Sequence, residues 1–271
     1  NIVIPQKKPQ DKSAQYEGAY VKDPKVGMHK WVMSFDLNSL YPHLIMQYNI
    51  SPETLVGQEK VKGMSVDKLL DKKVDTSILK GATLTPNGAL FKTTKRGFLP
   101  EIMQSMYDDR VKYKKLTLQA KQEYENTKDP KLLKDISKYN NIQLAKKISL
   151  NSAYGAIGNN WFRYYNLLVA EAITTSGQLS IRWIERAVNQ YLNDILKTDR
   201  EDYVIASDTD SIYVCFDRLV SMVFTKEQET QKVIRFLDNV AREKIEPFIE
   251  KSYQSLHEYI NSYEQKMEMS R

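Results

Sequence analysis

The spacing of apolar positions along the chain changes several times, and each change marks an element. Trp31-Val32-Met33-Ser34-Phe35-Asp36 is a short β-prone run that ends on a carboxylate. Pro42 follows, placed for the first turn of a short helix through His43-Leu44-Ile45-Met46-Gln47. From about Leu99 to Tyr124 the period is helical, with Ile102, Met106, Tyr113, Leu116 and Ala120 on overlapping faces. Asn126-Thr127-Lys128-Asp129-Pro130 breaks it, and a second helix runs from about Lys131 to Tyr154. These two predict an antiparallel helical hairpin. A third helix, about Leu168–Leu196, carries Gly177, Ile181, Ile184, Val188, Tyr191 and Ile195 at helical spacing. Tyr203-Val204-Ile205-Ala206 and Ser211-Ile212-Tyr213-Val214-Cys215-Phe216 predict two strands around a tight polar turn, Ser207-Asp208-Thr209-Asp210. A last helix is expected over about Lys226–Tyr263, kinked at Pro247. Residues 1–25, polar and punctuated by Pro5, Pro9 and Pro24, read as a linker; residues 57–97 read as loops and short strands. Hairpin-joined strands make the sheet at least partly antiparallel, so the expected class is α+β rather than a doubly wound α/β fold.

Charge adds a second pattern. The 271 residues carry 40 Lys+Arg and 34 Asp+Glu, a net +6. From Tyr107 to Leu150 there are 11 basic and 6 acidic residues, net +5, so nearly all the surplus sits on the predicted hairpin. A local basic face fits a polyanion such as nucleic acid or a triphosphate. A solvated hairpin with Lys on its outer face has the same composition. The apolar fraction, 41%, suffices for a sizeable core and excludes a disordered tail. No stretch reaches the roughly 18 apolar residues of a membrane helix, and Asn1-Ile2-Val3-Ile4-Pro5 does not open a signal peptide. The chain starts without Met and is expected to be a piece of a longer one. Its one cysteine, Cys215, excludes an internal disulfide and fits a reducing compartment. Cys215, His29, His43 and His257 have no zinc-finger spacing. The sequon Asn49-Ile50-Ser51 carries no weight without a secretory signal.

Three groups of residues carry candidate chemistry. In a tight turn, Asp208 and Asp210 point to roughly the same side, and like charges so placed repel unless a cation lies between them. Hard oxygen donors suit Mg²⁺. Alone, the tripeptide is also what an exposed turn using Asp for its turn propensity would show, and it lacks the Gly and third ligand of an EF-hand. Asp36 ends another strand, and one sheet can bring it beside the pair. Three carboxylates without Cys or His fit a Mg²⁺ site, expected to hold two ions, as in two-metal phosphoryl-transfer chemistry. On the helices, Lys147, Asn151 and Tyr154 form one stripe, and Arg110 and Lys114 share a face at i, i+4. If the helices pack side by side, Arg110, Lys114 and Lys147 converge on one polyanion, Arg as a fork and Lys as a point charge. There is neither a Walker A sequence nor a kinase-type Gly-rich loop. Lys146 faces about 100° from Lys147 and reads as a surface charge or a general DNA contact. Trp161, Phe162, Tyr164 and Tyr165 read as core or hairpin-base packing, Cys215 as a buried strand residue, and Met28, Met33, Met46 and Met103 as core.

Together these segments resemble family B DNA polymerases. Asp36-Leu37-Asn38-Ser39-Leu40-Tyr41-Pro42 resembles motif A, Lys147 through Gly155 motif B, and Asp208-Thr209-Asp210-Ser211 motif C, in the family's order. Tyr16-Glu17-Gly18-Ala19 is similar to the element joining exonuclease and palm. Asn49-Ile50-Ser51-Pro52-Glu53-Thr54 and Phe162-Arg163-Tyr164-Tyr165 are similar to segments of T-even-type bacteriophage polymerases. The resemblance implies an antiparallel palm with an inserted helical fingers hairpin: 1–96 as linker and first part of the palm, 97–158 as fingers, 159–271 as second, C-terminally incomplete part of the palm. It implies template-directed addition of dNTPs to a primer 3′-hydroxyl, with Asp36, Asp208 and Asp210 catalytic. Asp36, Asp210, auxiliary Asp208 and the backbone carbonyl of Leu37 would hold two Mg²⁺ ions. Ser39, Leu40 and Tyr41 would offer backbone amides to the triphosphate, which agrees with a helix N-terminus at that point. Tyr41 would also bar a ribose 2′-hydroxyl. Arg110, Lys114, Lys147 and Asn151 would bind the triphosphate, and Tyr154 and Gly155 would face the nascent base pair. Primer–template DNA and dNTP are the implied partners, a sliding clamp only through a C-terminal part outside this chain, and the host cytoplasm the implied location, with no membrane.

The departures are His43, where the family usually has Ser, the short Asp129-Pro130 fingers tip, and the lack of exonuclease, primer-gripping element and thumb. A catalytically silent nucleic-acid-binding fragment also fits the basic hairpin, but not three carboxylates at strand ends, which repel DNA without metal. The wording around Tyr41 and motif B argues against an RNA polymerase or reverse transcriptase.

Overall fold

A computed structural model of the chain describes residues 16–57, 61–77, 79–224 and 230–271. Its centre is a five-stranded antiparallel sheet in the order β1-β5-β6-β2-β7. The strands are β1 (Val21–Lys22), β2 (Val32–Leu37), β5 (Val204–Asp208), β6 (Ser211–Cys215) and β7 (Met269–Ser270). Both runs expected around the Asp-Thr-Asp turn are strands, and they pair directly as a hairpin. A separate two-stranded hairpin, β3 (Ala82–Leu84) and β4 (Leu90–Lys92), lies in the segment expected to hold short strands. The same segment also contains a one-turn helix, α2 (Val66–Leu70), capped by the Ser65 hydroxyl. The mixed architecture with an antiparallel sheet agrees with the expected α+β class.

The core forms where β2 and β6 meet α1 (Leu40–Gln47), α5 (Leu167–Leu196) and α8 (Glu246–Ile260). Phe35, Leu44, Ile173, Ile184, Val204, Ile212 and Tyr253 are fully buried there. α5 is the central pillar, buried along most of its 30 residues. At Gly177 it touches α1: a Cβ there would sit 3.5 Å from Leu40 and Leu44 and 3.6 Å from the Tyr41 ring. This contact holds Tyr41 from below.

The expected helical hairpin is α3 (Phe98–Thr127) and α4 (Lys131–Ile157). With 30 residues, α3 is about 45 Å long. Its buried residues lie mostly near its root, at Leu99, Pro100 and Met103, and α4 buries Leu150 and Ile157 at the corresponding end. The far end therefore projects from the core, held by helix–helix contacts. Lys146 makes one of them, an ion pair with Asp109 at 2.7 Å that keeps the Asp109 carboxyl below its usual range. It is thus a partly exposed surface charge that is paired across the hairpin. At the tip Lys128 takes the left-handed conformation and closes the turn onto Tyr124.

The long C-terminal helix is divided. α6 (Asp217–Val223) and α7 (Thr230–Val240) precede a π-helical turn, Ala241–Ile245, which leads into α8. Pro247 lacks the N–H that would continue the ladder, so the helix widens just before it. Lys226, the expected start, lies outside the described residues, as do Pro5 and Pro9 of the expected linker. Residues 16–22 are anchored rather than linker-like: Thr174 and Gln178 of α5 donate to the Glu17 and Gly18 carbonyls, and β1 pairs with β5.

Other expectations are corrected by exposure. Phe162 and Tyr164 pack at the hairpin base, with Tyr164 against Phe98 at 5.2 Å, but Trp161 is 79% exposed. Met46 and Met103 are buried and Met33 packs against the core, whereas Met28 is 94% exposed in the loop before β2. Cys215 is half-buried, because its side of β6 is not covered by a second layer.

Candidate active site

The sheet register decides where the three carboxylates lie. Asp36 of β2 and Asp208 of β5 both pair with Ser211, from opposite sides of β6. They therefore sit at the same level on the same face, two strands and roughly 10 Å apart at Cα. Asp210 lies in the turn between them, and its carbonyl accepts the Leu37 N–H at 2.8 Å, tying the turn to the end of β2. Burial and then the charges of Asp36 and Asp208 push the Asp210 carboxyl above its usual range. Among the described residues no three acidic, His or Cys side chains are gathered tightly enough to enclose an ion. The strand that separates Asp36 from Asp208 is the reason the expected three-carboxylate cluster is spread out.

The turn has an unusual backbone. Thr209 is left-handed (φ 52°), although β-branched residues rarely adopt that region. Its N–H donates to the Tyr20 carbonyl and its hydroxyl to Asp208. Ser39, at the N-cap of α1, is also left-handed (φ 49°, ψ 57°). Both line one cleft of about 510 Å³, and strain of this kind is commonest at working sites.

That cleft brings together most of the residues singled out in the sequence. Leu37, Ser39, Leu40, Tyr41 and Asp210 form its floor; Arg110, Lys114, Lys147, Asn151 and Tyr154 form the wall given by α3 and α4. Asp36 and Asp208 are exposed on the adjoining sheet edge. Gly155 is exposed one step along α4, with open space where a Cβ would stand. Arg110 Nη1 donates to Ser39 Oγ at 3.0 Å, while its buried Nε has no protein partner. The α1 N-terminus adds amides to the same space, a setting that favours anions. Pro42 is the third helical residue rather than the first, because the helix begins at Leu40.

Tyr41 and Tyr154 stack across the cleft, ring centroids 4.5 Å apart and 29° between planes. The Tyr154 hydroxyl meets that of Tyr16 at 3.0 Å. Burial raises the pKa of both Tyr41 and Tyr154, so both hydroxyls stay protonated. Sequence reasoning missed several supports. Tyr107 and Thr209 line the cleft without belonging to a charged or apolar pattern. Asn49, set aside as an unused sequon, is fully buried: it donates to the Lys92 and Lys95 carbonyls and accepts from Gly97 N–H. With Glu53, which accepts from Phe98 N–H, it fixes the start of α3.

The comparisons with known proteins agree with this arrangement. Residues 1–257 match the model of DNA polymerase family B. The chain is 35% identical to the DNA-directed DNA polymerase of Escherichia phage RB69, with 100% of this chain and 34% of the relative covered. It is 33% identical to that of Enterobacteria phage T4, over 99% of this chain and 34% of the relative. The DNA polymerase delta catalytic subunit of Candida albicans is 31% identical over 80% of this chain and 19% of the relative. The chain thus spans about a third of the length of the phage relatives it matches. With the family match running through all three motifs, the chain belongs to DNA polymerase family B.

Proposed function

We propose that this chain is the palm and fingers of a template-directed DNA polymerase of a bacteriophage, acting in the host cytoplasm. The observation that carries the reading is the cleft itself, where acidic strand ends meet basic helix faces around a helix N-terminus. In this reading residues 97–158 are the fingers, and the segments before and after them make the palm. The dNTP triphosphate lies against the amides of Ser39, Leu40 and Tyr41. Arg110 gives it a fork, Lys114 and Lys147 give point charges, and Asn151 a neutral donor. The sugar stacks on Tyr41, which α5 holds from below and which leaves no room for a 2′-hydroxyl. Tyr154 and Gly155 face the new base pair. The primer 3′-hydroxyl attacks the α-phosphorus, a P–O bond forms, and pyrophosphate leaves.

The donor set fits a hard cation: Asp36, Asp208, Asp210 and the Leu37 carbonyl offer only oxygen, and burial, then the charges of Asp36 and Asp208, raise the Asp210 pKa, a cost a cation would offset. These residues would hold two Mg²⁺ ions. Such ions activate an attacking oxygen and neutralise a leaving one. α3 and α4 closing over the nucleotide would complete the site.

Primer extension by the complete polymerase tests the reading. Asp210→Asn is expected to abolish Mg²⁺-dependent extension and leave primer–template affinity largely intact. Near-normal extension by that variant would remove the carboxylate assignment. DNA binding by the wild type that ignores both Mg²⁺ and dNTP, without extension, would leave a silent binding fragment instead.

A further inference from the structure

His43 lies in α1 and is only 5% exposed. Its Nδ1 is 2.9 Å from the Ser39 carbonyl oxygen, and its backbone N–H reaches the same oxygen at 3.2 Å. A carbonyl only accepts, so Nδ1 carries the proton. Ser39 has no side-chain cap and sits in the left-handed region, which serine seldom holds unaided. The two donors of His43 supply a local hold on that turn. On its other side the imidazole meets the Tyr107 ring edge-on, 4.6 Å between centroids at 84°. Tyr107 lies one turn before Arg110 on α3, and Arg110 returns to Ser39 through its hydroxyl. Ser39, His43, Tyr107 and Arg110 thus close a circuit between α1 and α3. The charged groups acting on the ring are Lys266 and Glu268 of the C-terminal segment and Arg110 of α3. Burial lowers the imidazole pKa and Lys266 and Arg110 act in the same direction; the Ser39 hydrogen bond and Glu268 oppose them without prevailing, so the imidazole stays below its usual pKa and neutral.

We propose that His43 is a positioning residue that fixes the Ser39–Tyr41 turn and seats it against α3, and thereby sets nucleotide affinity. The proposal rests on the polymerase reading above. A serine at 43 could donate to the same i−4 carbonyl, but it is too short to reach Tyr107. The ring therefore adds the coupling to α3. Its place outside the cleft lining makes the effect indirect.

The test uses the complete polymerase with His43→Ala, His43→Asn and His43→Phe. Asn places a donor where Nδ1 stands but has no ring; Phe keeps the ring without the donor. In His43→Ala the KM for dNTP is expected to rise about five- to tenfold, the worth of one hydrogen bond, with kcat changed by less than about threefold. His43→Asn restores most of the KM, and His43→Phe less. Amide exchange over residues 39–41 quickens in the Ala and Phe variants and not in Asn. A lower unfolding temperature with unchanged KM would make His43 merely structural and overturn the proposal. So would equal KM and exchange in the Asn and Phe variants, a comparison that decides even if the Ala variant does not fold. A wild type that fails to extend primers removes the polymerase reading, and the exchange data still decide the hold on the turn.

Discussion

Arg110 offers the sharpest check on the basic wall of the cleft. Its guanidinium has five N–H donors in a rigid fork. One Nη1–H is used on Ser39 Oγ at 3.0 Å, and the buried Nε has no protein partner. A buried cationic donor left open is costly unless an anion takes it. A phosphate that takes Nε together with a neighbouring Nη–H gains a two-point, charge-assisted contact. Hydrogen bonds to charged groups contribute about 1.5–3 kcal/mol each. Losing both in Arg110→Ala corresponds to about 3–6 kcal/mol, or at least about 150-fold in kcat/KM for dNTP. Arg110→Lys keeps the charge and loses the fork, so a smaller drop of about 10- to 30-fold is expected.

The assay is single-nucleotide extension on a fixed primer–template by the complete polymerase, with primer–template affinity measured separately. Ser39→Ala is the companion variant: it removes the anchor of the guanidinium but no nucleotide contact, and should cost about five- to tenfold. Arg110→Ala within about twofold of wild type would refute the reasoning. A variant that loses DNA affinity while its KM for dNTP stays constant would refute it differently, by placing Arg110 on the nucleic acid.

Asp210→Asn should raise the unfolding temperature in the absence of metal while removing activity. The Asp210 pKa is raised in the fold, so the carboxyl supports folding below the ordinary carboxylate range and that support is lost as pH rises through the raised value; at neutral pH the charge opposes folding. Added Mg²⁺ should stabilise the wild type and not the variant, and an Asn variant less stable than wild type in chelator would contradict the electrostatic account. Tyr41→Ala should raise ribonucleotide incorporation at least about tenfold, read from extension with NTPs; unchanged discrimination would remove Tyr41 as the barrier. Gly97→Ala should destabilise by about 1–3 kcal/mol, because its Cβ would stand 2.6 Å from Ser51 Cβ and 3.1 Å from Thr54; denaturant unfolding at wild-type stability would show that the Asn49–Glu53 support of α3 yields easily.

What the sequence disclosed and withheld follows from the range of the interactions. α3, α4 and α5 each present many turns of one period, so their faces could be read before any packing was known. The approach of Arg110, Lys114 and Lys147 to one another needed only that period and two adjacent helices, and the three line one cleft. β7, by contrast, is two residues long and exists because Ser270 pairs with Asp36, 234 positions away; nothing local marks it. The partner of Lys146 is hidden for the same reason, since Asp109 is placed beside it by the register of α4 on α3. Trp161 and Met28 show the limit of hydrophobicity as a guide: both are apolar, yet both are largely exposed. The carboxylates fall between these cases. That Asp36 and Asp208 fall at strand ends and Asp210 in the turn beside them is local and legible. That β6 runs between Asp36 and Asp208 is topology, and it converts a supposed cluster into a row along one sheet edge. A row of carboxylates with Asp210 at its centre accounts, together with burial, for the raised pKa of Asp210. It is the member that feels both neighbours while also being half-buried, and so the one whose charge most needs a counter-ion.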